Sequence, residues 1–104
     1  HRLRRNDVLG RLLARRGDHD AATVCAREAV RIAEQTDFIG FQADAQAGLA
    51  EVLRLAGREA DRAVALRRAL ELYERKGNVV EATRARALLA GMTPGAAPDA
   101  SAIS

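Results

Sequence analysis

The residues that could bind a metal ion are few and lie together. Asp18, His19 and Asp20 are adjacent, and carboxylates beside an imidazole are metal-ligand types. No second ligand cluster lies near them in the sequence. An aspartate before a helix also accepts hydrogen bonds from free backbone amides. We therefore expect Asp18 or Asp20 to cap a helix, and we expect no metal ion and no cofactor.

The positions of the possible nucleophiles, serine and cysteine, also argue against a catalytic site. Both serines lie in the last four residues, so no Ser-His-Asp arrangement is expected in a folded region. No glycine-rich phosphate loop ending in Lys and Ser or Thr occurs. Cys25 lies among alanines, where a free thiol behaves as a small apolar group. The sequence predicts a protein that is not an enzyme.

Charge and composition narrow the class of partner. The sequence contains 17 cationic and 14 anionic residues, which give a net charge of +3, and residues of both signs are interspersed. A nucleic-acid binder concentrates basic residues on one face, and only Arg2, Arg4 and Arg5 form a dense cluster here. We favour a solvated helical surface. A nucleic-acid-associated helical domain, using these residues with Arg15 and Arg16, stays as the alternative.

The sequence also bears on location and extent. One cysteine excludes an internal disulfide, and no run of 18 apolar residues occurs, so we expect a cytoplasmic protein with no membrane span. The chain begins at His1 without a signal peptide, and we interpret it as an excised fragment. The small and Pro-containing segment 92–104 is typical of a disordered tail.

Apolar spacing and glycine positions predict five helices and no strand. Leucine and alanine recur at intervals of three and four, and Gly17, Gly57 and Gly77 mark helix ends. The predicted helices are approximately Arg5–Arg16, Asp20–Gln35, Phe38–Ala56, Glu59–Arg75 and Val79–Ala90. Short connections between them favour an all-α fold of antiparallel helix pairs.

Individual side chains receive specific roles in this pattern. We expect Phe38 and Phe41 in the core, with Asp37 capping the third helix. Tyr73 should face inward, and Asn78 should cap the fifth helix. Two further sets should face solvent. On the fourth helix these are Arg62, Arg67 and Arg68, and on the fifth they are Glu81, Arg84 and Arg86, forming a polar outer face.

The chain repeats itself at a fixed interval. One shift aligns Leu9-Gly10 with Leu49-Ala50, Gly17 with Gly57, and Leu49-Ala50 with Leu89-Ala90. This 40-residue shift is of the size that indicates stacked helical units. The sequence thus predicts about two and a half repeats over residues 1–91. A small residue after Leu49 or Leu9 would allow a second helix to cross closely.

These positions resemble the tetratricopeptide repeat. The first copy offers Leu9-Gly10, Leu13, Gly17, Ala22 and Ala29, and the second offers Leu49-Ala50, Leu53, Gly57, Leu66 and Ala69. The period here is longer than the 34 or so of that family, and Arg62 stands where the family prefers alanine. The resemblance implies a fragment of a right-handed helical solenoid.

The long period and the stretch from Leu70 to Val80 resemble the C-terminal repeats of large bacterial regulators that carry an ATPase or adenylate cyclase module. The resemblance therefore implies a protein-interaction scaffold within a larger regulatory protein. Its partner would be a protein or peptide, with the preceding domain of the same chain as one candidate. Exposed end helices could also pair two copies into a homodimer.

By resemblance, the first helix of each pair lines a concave groove that binds the partner. The positions expected there are Arg4, Asp7, Arg11, Arg15, Asp44, Glu51, Arg54 and Arg84. Some family members clamp a peptide carboxylate with basic residues, but here Asp44, Ala47 and Glu51 occupy such places. We therefore predict no chaperone-tail binding. These charges could instead serve only to solvate an exposed face.

Overall fold

The computed structural model describes residues 9, 10, 12, 13 and 15–92, and no strand occurs among them. The described residues before Gly17 are helical in part, within 9–15. Four further helices follow: α1 (His19–Glu34), α2 (Ile39–Leu55), α3 (Glu59–Lys76) and α4 (Val79–Met92). The all-helical prediction is confirmed for these residues. No helix among them is long and apolar enough to cross a membrane.

The helix starts follow the 40-residue period of the sequence. Helix α1 begins at His19 and α3 at Glu59, while α2 begins at Ile39 and α4 at Val79. The turns before α1 and α3 both contain a glycine with positive φ, 87° at Gly17 and 75° at Gly57. Glycine adopts this conformation without a Cβ clash, which explains why both helices begin at matching points.

Caps were predicted correctly at two turns and wrongly at a third. The Asp18 carboxylate accepts from the Ala21 amide at 3.2 Å, and the Asn78 amide oxygen accepts from the Glu81 amide at 3.1 Å. Asp37 does not cap α2, because its N-cap residue is Phe38 and no side chain bonds there. Instead the Thr36 hydroxyl accepts from the Phe38 amide at 3.2 Å.

The core is thin and built mainly from alanine. One cluster joins α1, α2 and α3 around Ala22, Leu49, Leu53 and Leu66, with Leu89 and Met92 of α4 packed against it. A second joins Ala43 of α2 to residues of α3 and α4. Small side chains permit close helix contacts. At Gly10, an added Cβ would lie 3.3 Å from the Ala22 carbonyl oxygen, so a larger residue would require α1 to shift by a few tenths of an ångström at this crossing.

The two phenylalanines are not in the core, contrary to the sequence prediction. Phe38 is 63% exposed and Phe41 is 49% exposed. Their rings contact each other edge to face, with centroids 5.4 Å apart. They lie at the start of α2, and neither buried cluster includes them. The pair is therefore an exposed aromatic surface.

Arg84 and Arg86 of α4 are exposed as predicted, whereas Glu81 is half-buried. Arg86 forms an ion pair with Glu74 of α3 at 2.6 Å, while Glu81 and Arg84 turn toward a groove described below. The exposed side chains of α4 include Val79 and Val80, which are 74% and 75% exposed. The face opposite the core is therefore largely apolar. The predicted tail begins with Met92, the last residue of α4, and residues 93–104 lie outside the description.

Candidate functional site

A groove of about 660 Å³, here called the central groove, lies between α2 and α4 and has α3 as its floor. Helical spacing explains its walls. Asp44, Ala47 and Glu51 recur at intervals of three and four on α2, and Glu81, Arg84 and Leu88 recur in the same way on α4. Each set therefore lies on one face of its helix. Arg15, from the segment before α1, closes one side.

The lining of the central groove combines apolar side chains with charged side chains of both signs. Its apolar lining residues come from all three helices and are mostly small: Ala47, Ala50, Leu66, Ala69, Ala85 and Leu88. Its charged lining residues are three acids and three arginines: Asp44, Glu51, Glu81, Arg15, Arg62 and Arg84. This balance provides contacts for side chains of either sign. It does not create a concentrated field for a polyanion.

Tyr73 fixes one end of the central groove. Its hydroxyl donates to the Asp44 carboxylate at 2.7 Å, which links the end of α3 to the beginning of α2. Leu66 of α3 lies in one cluster with Leu49 and Leu53 farther along α2, so the two helices are antiparallel. The Tyr73 side chain is buried. Burial, followed by the hydrogen bond to Asp44, raises the pKa of the phenol well above its ordinary value. The hydroxyl therefore stays protonated and holds Asp44 in place.

Arg62 lines the floor of the central groove, although the sequence placed it on the outer surface. Its side chain is only 13% exposed, and one guanidinium nitrogen lies 3.3 Å from a Glu59 carboxylate oxygen. The sequence contains a signal for this position. Arg62 precedes Leu66, Ala69 and Tyr73 at intervals of four, three and four, which is the inward face of α3. Its charge obscured that pattern.

The charged side chains of the central groove that a ligand could bind most readily lie on α4. The side chains of Glu81 and Arg84 form no ion pair with another described residue, whereas Glu51 is paired with Arg54 at 2.6 Å. Exposed pairs such as the latter contribute at most about 1 kcal/mol to folding. A ligand could therefore engage Glu81 and Arg84 without first breaking a strong internal contact.

The predicted groove positions fall into three groups. Arg15, Asp44, Glu51 and Arg84 all line the central groove. Arg54 does not line it and instead extends from α2 beside Glu51, whose carboxylate raises the pKa of its guanidinium. The remaining predicted positions, Arg4, Asp7 and Arg11, lie outside the described residues, as do Arg2 and Arg5 of the alternative.

The residues first considered for metal or redox chemistry are Asp18, His19, Asp20 and Cys25. Asp18 caps α1, and the Thr23 hydroxyl donates to the His19 carbonyl at 2.8 Å. Across the described part of the chain, no group of three or more His, Cys, Asp or Glu side chains could hold a metal ion. Cys25 is half-buried at the close crossing with Gly10.

Comparisons with known proteins leave the site to be interpreted from its geometry. No protein-family model, curated protein or solved structure matches the chain.

Proposed function

We propose that this chain is a non-catalytic protein-interaction scaffold whose central groove binds a peptide or helix of another protein. The observation that carries the proposal is the groove's composition: the charged side chains of Asp44, Glu81 and Arg84 surround the partly exposed Ala47 and Leu88. Burial of apolar side chains supplies affinity, while polar and charged groups at the edge select the partner.

The charges describe the partner segment. An acidic side chain would meet Arg84 on the wall and Arg62 on the floor, and a basic one would meet Glu81 or Asp44. Apolar side chains between them would contact Ala47 and Leu88. A segment that alternates both signs around two or three apolar residues therefore fits better than a uniformly acidic or basic one.

The same scaffold is proposed to be a repeat module of tetratricopeptide type within a larger cytoplasmic regulator. Support comes from the 40-residue spacing of the helix starts and from the close crossing at Gly10. The sequence of the complete parent protein tests the regulatory context. An upstream ATPase or cyclase motif is expected there, and a complete chain without any such module would contradict it.

Binding can be tested with peptides selected from a random library displayed against the whole chain. Arg84→Glu and Glu81→Arg reverse charges that line the groove, and Arg67→Glu is the matched control because Arg67 is exposed on α3 away from the groove. Calorimetric titration should show that the groove variants weaken the selected peptides about ten-fold or more, as loss of charge-assisted contacts predicts.

The control should retain its affinity, and all three variants should fold, since surface substitutions change stability by only about 0.5 kcal/mol. Equal weakening by Arg67→Glu would place the binding site elsewhere and reject the groove. A titration with duplex DNA at low and high salt addresses the nucleic-acid alternative. Tight, salt-sensitive binding of DNA would replace the present proposal.

A further inference from the structure

The exposed face of α4 is formed by Val79, Val80, Thr83 and Ala87, and is here called the outer face of α4. All four residues are exposed, and Val79 and Val80 are about three-quarters exposed. The spacing of these residues places them together on one side of the helix. This face lies away from the α4 residues buried against α3, Ala82 and Ala85.

The same face occurs on α2, where it is covered. The repeat shift carries Val79, Val80, Thr83 and Ala87 onto Ile39, Gly40, Ala43 and Ala47. Ala43 is fully buried and packs with Ala69, Leu72 and Tyr73 of α3, while Ile39 and Ala47 pack against the same cluster. The molecule therefore shows what covers such a face, namely an antiparallel helix with large apolar side chains.

The edges of the two faces differ in charge. Asp44 of α2 accepts the hydrogen bond from Tyr73 of α3, and the corresponding residue of α4 is Arg84. The Arg84 side chain forms no ion pair with another described residue. Suppose that a helix packs on α4 in the way that α3 packs on α2. The residue of that helix equivalent to Tyr73 would then lie beside the Arg84 guanidinium. A carboxylate at that position would be complementary.

Residues 93–104 do not have the sequence of such a helix. They contain Pro94 and Pro98, and their only large apolar residue is Ile103. We propose that the outer face of α4 binds an amphipathic helix of another protein, antiparallel to α4, with a carboxylate opposite Arg84. This surface shares only Arg84 with the lining of the central groove, so Ala87→Glu on this face and Glu51→Gln in the groove test the two surfaces separately.

The probe is a synthetic peptide with the sequence of residues 58–78, which contains α3, carrying Tyr73→Glu. The unsubstituted peptide is its matched control. Each is labelled with a fluorophore and titrated with the whole chain, and binding is followed by fluorescence anisotropy. The Tyr73→Glu peptide should bind about ten-fold more tightly than the unsubstituted one, because it pairs with Arg84. Ala87→Glu in the chain should abolish binding of both peptides.

Reversal of the charge at position 84 tests the proposed pairing between the helix and Arg84. Arg84→Asp in the chain recreates the Asp44 arrangement of α2, so the unsubstituted peptide should now bind more tightly than the Tyr73→Glu peptide. Glu51→Gln, which alters the wall of the central groove at a half-exposed position, should leave the ratio of the two affinities unchanged.

Three results would overturn the proposal. These are the absence of saturable binding up to about 1 mM, binding that survives Ala87→Glu, and a peptide preference that does not reverse with Arg84→Asp. Light scattering of the chain alone tests whether a second copy of the chain, and not another protein, binds this face. A dimer that Ala87→Glu converts to a monomer would show that a second copy covers this face.

Discussion

Helices α2 and α4 occupy equivalent places in the 40-residue repeat but have different surroundings. Helix α2 packs between α1 and α3 and has seven buried residues, whereas α4 packs on α3 and has two. Their sequences match at Leu49-Ala50 and Leu89-Ala90. The difference shows that a helix's pattern indicates which faces can be buried, while neighbouring elements determine which faces are buried.

The largest expected effect compares the two equivalent faces directly. Ala43→Asp places a carboxylate against Leu72 and Tyr73 with no cationic partner, and should destabilise the fold by about 3 kcal/mol or more. Thr83→Asp makes the equivalent change on the exposed face of α4 and should alter stability by about 0.5 kcal/mol or less. Urea unfolding followed by circular dichroism measures both.

Similar losses in the two variants would contradict the comparison, because they would mean that the α4 face is already covered in solution. Thr83→Ser serves as a control that keeps the hydroxyl and should leave the unfolding midpoint unchanged.

The second-largest expected effect concerns the hydrogen bond from Tyr73 of α3 to Asp44 of α2. Arg84 stands at the position of α4 that corresponds to Asp44. Tyr73→Phe removes the hydrogen bond to Asp44 and should cost about 1 kcal/mol, since Asp44 is exposed and water can replace the phenol. Because the pKa of Tyr73 is raised by folding, the wild-type stabilisation from the neutral phenol is complete below about pH 10. It is lost as the pH rises through the pKa of the folded protein.

Tyr73 is the only tyrosine, and the chain has no tryptophan, so its ultraviolet absorbance reports this one ionisation. Titration of the folded chain should show a pKa above that of the urea-unfolded chain. Identical titration curves in the two states would reject the buried phenol. The Tyr73→Phe variant should lack the alkaline loss of stability attributed to this group.

The smallest effect concerns the beginnings of α2 and α4. Phe38→Asn gives α2 the residue that Asn78 provides before α4, and a side-chain cap contributes about 1 kcal/mol. Loss of the exposed ring contact between Phe38 and Phe41 should lower the free energy of unfolding by a similar or smaller amount. We expect the unfolding midpoint to stay constant or rise slightly. A loss above about 2 kcal/mol, which is the size expected for a buried phenylalanine, would show that Phe38 is covered in solution.

Much of the local structure could be predicted from single residues. Glycine before α1 and α3 fixed the turns because only it adopts positive φ easily, and Asp18 and Asn78 capped helices because their side chains reach free amides. The limits of α1 to α4 agree with those predicted from apolar spacing to within about two residues. The sequence pattern failed at Phe38 because hydrophobicity alone does not supply a neighbour.

The sequence by itself therefore determined the helices, their ends and their 40-residue period, since these depend on contacts within a few residues. Tertiary structure alone decided which faces meet. It placed Arg62 on the floor of a groove, brought Tyr73 to Asp44 across 29 residues of chain, and left the valines of α4 exposed. Such outcomes depend on the directions in which helices pack, and local residue spacing does not specify those directions.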